Sequence, residues 1–555
     1  MPGTEEREGL VRLGSFRITH DMVLLAIMVM SAFVIRLEFI PPNSVLNGDG
    51  IYYTILGEKF ISGDFAGGIS AYWSPLYSVL TGIAEVIGAN REFAGKIVSL
   101  IAGAFVIVPS FLLARDFYGR RAATIGSLLL IFDPSLIRAS GWVMTESLYT
   151  LVFVGFILTG WKAVENDSNK LFFVTGLLIG ISYLIKPEAV AYAILVPLVY
   201  LGLSILRGRI NLRKICTCSV TSLVGFLIFF LPYFVFVHAK TGIWTISQKV
   251  TVNLPAADFD GELLKILSGE RKTMKDKVWG DDYGTVTGQQ PARVSAEPRS
   301  SDSPGLLSGL AVLAKKAGSQ LVWQIRRYLP ATLPIPLLLV AIAGFFSKVW
   351  TRERFFRDAY LASFVLATLA GYAISAVELR YLFPLIPIAA AWIGVGVVDL
   401  SEWAISSFRA IRNGKDRFRP IYFQISLTVL LIASFTPLYA AYMKADTIDN
   451  VPYEEKEAGL WLKDHSDTPN PTVMSANITV AFYAHAEHLY LPDETLQTIV
   501  AYAKERNTNY LVISQRRIKD ISSDLNGLDT VAELKEVYRD QRYPDHQIAI
   551  YKVTY

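Results

Sequence analysis

Apolar residues run in long blocks between residues 20 and 440, separated by short polar segments. Blocks of about 18–24 residues are long enough to cross a hydrocarbon core of ~30 Å as helices. Their positions predict eleven spans, near 20–40, 96–114, 122–140, 143–161, 171–185, 188–206, 215–238, 331–348, 358–376, 381–400 and 421–440. The block PLYSVLTGIAEVIG, residues 75–88, is too short to span and holds Glu85, so it predicts a helix lying in the interface. The first block carries Arg36 and Glu38 and lacks a small-residue cleavage site, which reads as a retained span rather than a signal peptide.

The pattern changes near Tyr453. YEEKEAGLWLKDH and ETLQTIVAYAKER have helical spacing of apolar positions, whereas PTVMSA, NYLVIS and QIAIYKVTY read as strands. The expected organisation is a transmembrane domain over 1–440, with outer loops at 40–95 and 239–330, and a soluble α/β domain over 441–555. Residues 279–305, rich in Gly, Pro and Ser, read as a flexible loop, and the stretch from Leu306 to Leu329 as an amphipathic helix leading back to the bilayer. Neither a G-x-G-x-x-G nor a Walker A pattern occurs, so no nucleotide site is expected, and no nucleic-acid partner.

Composition agrees: 52% of residues are hydrophobic and 18% charged, with a mean hydropathy of +0.37, where soluble chains carry nearer a quarter charged. Two cysteines, Cys216 and Cys218, exclude a disulfide framework and at spacing i, i+2 point to different helix faces. With the N-terminus cytoplasmic, the inner segments gather twenty-one Lys and Arg, and the short outer loops only Arg138, Lys186 and Arg380. This bias predicts a multi-pass protein of the plasma (inner) membrane whose C-terminal domain is extracytoplasmic.

Several ionisable residues then fall at the outer ends of spans: Asp49, Asp133, Arg138, Glu146, Lys186, Glu188, Glu378 and Arg380. Charges at that depth are costly and point to function. An anionic lipid-linked phosphate would account for the outer cations, with Arg380 gripping its oxygens and Lys186 as a second point charge. Asp49, between two glycines in NGDG, could then take the proton of an acceptor hydroxyl attacking a lipid-borne sugar. Each has an ordinary reading too: a turn acid for Asp49, a helix-start acid for Glu146, a structural ion pair for Glu378 and Arg380. Lys186 could snorkel, and Tyr52, Tyr53, Tyr72, Trp73 and Tyr77 fit an aromatic belt as well as a sugar platform. His485 and His488 lack a third ligand and read as exposed surface.

The stretch from GDGIYYTILGEKFISGDF to YWSPLYSVLTG, with MTESLY, LIKPEA, ELRYLFPLIP, FYAHAEHLYLP and NYLVIS in order, resembles the GT-C glycosyltransferases. The nearest groups are relatives of the protein O-mannosyltransferases and the lipid A aminoarabinose transferases. The resemblance implies an inverting glycosyltransferase that uses a dolichyl- or undecaprenyl-phosphate sugar and carries its catalytic carboxylate at Asp49. Lys186 and Arg380 then hold the donor phosphate, and Glu146, Glu378, Tyr53 and Tyr77 contact substrate. No cofactor is required, although Asp49 and Glu146 could share a divalent Mg or Mn ion. The acceptor is a lipid, glycan or protein. Gly50 stands where the family has Glu after its Asp, and Trp73 and Ser74 where the aminoarabinose branch has Lys before Pro. A transporter or flippase, or a non-catalytic binder of lipid-linked sugars, is the alternative, but a transporter would place its acids near mid-membrane.

Overall fold

The computed structural model describes residues 11–13, 16–40, 44–208, 210–249, 306–346, 350–374, 378–411, 419–445, 450–491, 496–518, 528 and 531–555. The loop expected over 279–305 lies outside them. The described residues form two compact units. A helical unit draws on Met1–Pro41, Tyr53–Ala256 and Gly305–Tyr442, and a second unit on Pro42–Tyr52 and Met443–Tyr555. Residues 42–52, assigned from sequence to the helical domain, therefore cluster with the C-terminal unit.

The helical unit opens with a short antiparallel hairpin, β1 (Val11–Leu13) and β2 (Phe16–Ile18). Among the described residues, seven helices are long and apolar enough to cross a membrane: His20–Glu38, Ala94–Tyr118, Glu146–Glu165, Pro187–Leu206, Leu212–Thr241, Leu379–Ile411 and Pro420–Lys444. Two bent pairs raise the number to nine: Arg120–Ile131 with Pro134–Gly141, bent by 53°, and Ala317–Thr332 with Ile335–Phe346, bent by 107°. The count of eleven is thus not reached. The expected span 171–185 is a helix of 15 residues, Asn169–Tyr183. The expected span 358–376 belongs to Arg352–Ile374, whose start carries Arg352, Glu353, Arg354, Arg357 and Asp358. Block 75–88 forms the helix Pro75–Val86, and the stretch from Leu306 forms Leu306–Trp323 followed by a π-helical turn, Gln324–Tyr328.

Both bends have a chemical cause. Pro134 and Pro334 fall at the two breaks, and proline interrupts the backbone ladder and favours a kink. At the first break, Asp133 accepts a hydrogen bond from the Leu136 amide at 2.9 Å and caps the second half. The fully buried Arg36 donates to the Leu130 carbonyl (3.0 Å) before the break and to Ser140 Oγ (3.2 Å) after it. Elsewhere glycine sets the spacing: a Cβ on Gly176 would collide with the Ser222 carbonyl, and one on Gly225 with the Phe173 carbonyl. Small residues let Asn169–Tyr183 and Leu212–Thr241 cross closely.

The second unit holds a five-stranded sheet in the order β4-β3-β5-β7-β6. Its strands are β3 (Thr472–Ser475), β4 (Glu487–Tyr490), β5 (Tyr510–Ser514), β6 (Leu534–Asp540) and β7 (Ile548–Val553). β3 runs parallel to β4 and β5, and β7 antiparallel to β5 and β6. The two-residue period of β5 sends Leu511 and Ile513 to one face and Tyr510 and Val512 to the other. The first pair packs with Ile499, Val500 and Ala503 of the helix Leu496–Glu505. The second packs with Ala458 and Leu462 of the helix Tyr453–His465. The three strands expected from sequence are present, whereas β4 and β6 were not expected.

Candidate functional site

Three helix beginnings carry the charged cluster. Glu146 opens Glu146–Glu165, Lys186 precedes the turn Pro187–Ala189, and Glu378 and Arg380 flank the start of the turn Leu379–Leu385. Lys186 Nζ lies 3.1 Å from Glu146 Oε1, and Arg380 Nε 3.7 Å from the same oxygen. Glu146 is 1% exposed and Lys186 7%. Arg380 Nε also reaches Glu378 Oε2 at 2.6 Å, and Glu378 is about half exposed. Arg380 Nη1 faces Met144 Sδ at 3.6 Å. The ammonium of Lys186 lies over Tyr381 and Tyr149, 5.0 and 5.5 Å from their ring centroids.

A carboxylate removed from water is tolerated only when paired, and here two cations share one oxygen. The other oxygen, Glu146 Oε2, is buried with no hydrogen-bond donor among the described residues. Two cations on one buried acid leave spare positive potential. Glu378, solvated on one side, is the partner most readily displaced, because exposed ion pairs contribute little.

Around this cluster Tyr372 donates to Glu188 Oε1 at 2.7 Å and stacks on Tyr381 at 4.9 Å. Tyr77 is fully buried; its hydroxyl donates to the Gly95 carbonyl at 2.8 Å and lies 2.7 Å from Ser99 Oγ. Ser99 in turn donates to the Met144 carbonyl, so Tyr77 braces the residue that faces Arg380. Tyr53 is buried with its ring against Tyr77 at 5.1 Å. Arg138 lies over the rings of Trp142 and Tyr442, at 5.1 and 4.6 Å, and cation–π attraction accounts for its place without a ligand. Asp133 serves as a helix cap. The structure thus brings together Glu146, Lys186, Glu378 and Arg380, with Glu188 beyond them. Met144, Tyr149, Tyr372 and Tyr381 were missed from sequence. Tyr149 follows Glu146 by one helical turn and was legible; Tyr372 meets Glu188 across 184 residues and was not.

Asp49 belongs to the second unit. It is half-buried and is the second residue of the helix Gly48–Ile61, not a residue of a flexible turn. Asn47 Oδ1 accepts from the Gly50 amide at 2.7 Å and caps that helix, and a carboxylate in the first turn is favoured by the helix dipole. Of the two histidines expected at the exposed surface, His485 is exposed, in a left-handed conformation, whereas His488 is half-buried in β4, with Nε2 3.1 Å from the Ser475 carbonyl. Among the described residues no three His, Cys, Asp or Glu side chains converge in a metal-holding group. Glu146 already faces two cations, which would repel a third, so these residues do not fit a divalent ion and no step is routed through one.

Residues 74–236 match the family described as dolichyl-phosphate-mannose-protein mannosyltransferase. That stretch includes Tyr77, Glu146 and Lys186 but neither Asp49 nor Arg380. No curated protein sequence matches the chain. Among solved structures, ArnT from Cupriavidus metallidurans bound to undecaprenyl phosphate is similar with a TM-score of 0.57 and 13% identity, over 96% of this chain and 97% of that one. The apo oligosaccharyltransferase of Archaeoglobus fulgidus is similar with a TM-score of 0.58 and 14% identity, over 90% and 70%. The archaeal oligosaccharyltransferase AglB from Archaeoglobus fulgidus, in complex with an inhibitory peptide and a dolichol-phosphate, gives 0.55 and 14%, over 90% and 69%. At these identities the likeness is one of fold.

Proposed function

We propose that this chain, built on the fold of the GT-C glycosyltransferases, moves a sugar from a polyprenyl-phosphate donor to an acceptor at the outer face of the plasma membrane. The observation that carries this reading is the buried cluster in which Lys186 and Arg380 share one oxygen of Glu146 while Arg380 also holds the exposed Glu378. The phosphodiester that joins lipid to sugar in such a donor supplies the anion this pair of cations fits, and a guanidinium can grip its two free oxygens through two parallel bonds. Support also comes from the similar structures, one of which holds undecaprenyl phosphate and another a dolichol-phosphate.

In this mechanism Asp49 is the general base. It takes the proton of an acceptor hydroxyl as that oxygen bonds to the anomeric carbon. The bond from that carbon to the phosphate oxygen breaks on the opposite side, which inverts the centre. The polyprenyl phosphate leaves with the electron pair, and Lys186 and Arg380 balance its growing charge. The acceptor is a hydroxyl of a lipid, glycan or protein. The basic residues of the inner segments place the N-terminus in the cytoplasm in this reading, with the second unit outside.

The test is transfer from a panel of radiolabelled polyprenyl-phosphate monosaccharides, using purified protein and host lipid extract. The reading predicts a labelled product of inverted configuration from at least one donor. Donor binding without any product across the panel would instead make the chain a binder of lipid-linked sugars.

A further inference from the structure

The residues that lead into and out of Asp49 are fastened to the C-terminal α/β unit. The Ser44 carbonyl accepts from Lys456 Nζ at 2.9 Å. The Leu46 amide donates to the hydroxyl of Tyr483 at 3.1 Å, and Lys456 lies over the ring of that tyrosine at 5.0 Å. Past Asp49, the hydroxyls of Tyr52 and Tyr490 meet at 2.6 Å. Leu46 and Ile51 are buried on either side.

Tyr490 is itself held. It lies two residues from His488 on β4, so the two side chains share one face of the sheet. Their rings meet edge to face at 4.4 Å. The imidazole is fixed from the adjacent strand by its bond to the Ser475 carbonyl. Tyr52 stands one helical turn beyond Asp49, at spacing i, i+3, and so projects from the same side of the helix. A bond at Tyr52 therefore fixes the rotation of the face that carries the carboxylate.

The geometry points to the C-terminal unit as a clamp on the general base: Tyr490, through Tyr52, is a positioning residue that sets the direction of the Asp49 carboxylate, with Tyr483 and Lys456 holding the approach to it. This rests on the role proposed for Asp49. It gives the α/β unit, which carries no nucleotide-binding motif, a part in the chemistry. A base aimed correctly accelerates the chemical step without altering how the donor is held.

The test uses the full chain in lipid nanodiscs and the radiolabelled polyprenyl-phosphate sugar that the donor panel identifies. Tyr490→Phe, Tyr52→Phe and the double variant are compared with wild type, with Asp49→Asn alongside. Each phenylalanine variant keeps the ring and removes one half of the Tyr52–Tyr490 bond. The clamp predicts kcat lower by about fivefold in each, the equivalent of one neutral hydrogen bond, with KM for the donor unchanged. It also predicts no further loss in the double variant, because all three lack the same bond. Tyr52→Phe breaks the bond from the helix side and keeps the test open should the strand variant not fold. Wild-type kcat in the single variants, or losses that multiply in the double, would overturn the clamp while an inactive Asp49→Asn left the base reading in place. Full activity in Asp49→Asn would overturn both.

Discussion

Arg380 holds two acids of unequal kind. Glu146 is enclosed and shared with Lys186, whereas Glu378 is about half exposed and lies 2.6 Å away. Under the proposed donor binding, an incoming phosphate competes with Glu378. Replacing Glu378 with Gln removes the competitor and leaves the buried pair in place. Its affinity for a polyprenyl phosphate is expected to rise by about threefold, within the range of one exposed ion pair, and titration calorimetry in detergent measures it. At this scale the sequence was informative where charge interrupts apolar blocks, which is how Glu146, Lys186 and Arg380 stood out. It was silent on Met144 and Tyr372, whose contacts with Arg380 and Glu188 arise only from packing across 236 and 184 residues. Asp49 was legible as a residue but not in its setting, since the cap from Asn47 turns NGDG into a helix start.

The broken helix at Pro134 depends on a side chain from another element. Arg36 bridges the Leu130 carbonyl and Ser140 Oγ, and also reaches the Ala32 carbonyl of its own helix. Arg36→Met would leave a buried carbonyl and a hydroxyl without that donor, at a cost of about 2 kcal/mol, read as a lower midpoint in thermal unfolding. Wild-type stability would mean that the break holds without the arginine. The sheet offers a second case. Burial pushes the His488 imidazole down to about 4, while an unfolded chain protonates near its ordinary value of ~6.5. The unfolded state thus takes up the proton first. Stability is kept above pH ~6.5 and lost progressively as pH falls toward 4. Melting curves across that window should show the loss, and His488→Gln should flatten it. β4 and β6 escaped the sequence reading for one physical reason: both lie at the edges of the sheet. An edge strand such as LKEVYRD is short of apolar alternation because charge there protects against pairing with other chains.

Across the whole chain, hydropathy located a helix for every expected span but not the number of crossings. Eleven blocks became seven qualifying helices, or nine with the bent pairs, among the described residues. Two proline breaks, the 15-residue length of Asn169–Tyr183 and the charged start of Arg352–Ile374 account for the difference, and a window of average hydropathy does not register the breaks as bends. A boundary after residue 440 was read from the change of pattern near Tyr453. The transfer of residues 42–52 to the second unit was not, because it depends on bonds such as Tyr52 to Tyr490 that no periodicity encodes. Orientation is predicted from the basic residues. With Cys216 and Cys218 replaced by Ser, Glu505→Cys on the second unit should react with a membrane-impermeant maleimide in intact cells, and Arg409→Cys only after permeabilisation; both positions are exposed. The reverse pattern would turn the protein over.

Asp49 as general base is decided by comparing wild type with Asp49→Asn in transfer of label from a polyprenyl-phosphate sugar to host acceptor. The account predicts product with wild type and a loss of at least a hundredfold with the variant, the low end of what a general base supplies. Equal transfer by the two proteins would contradict it.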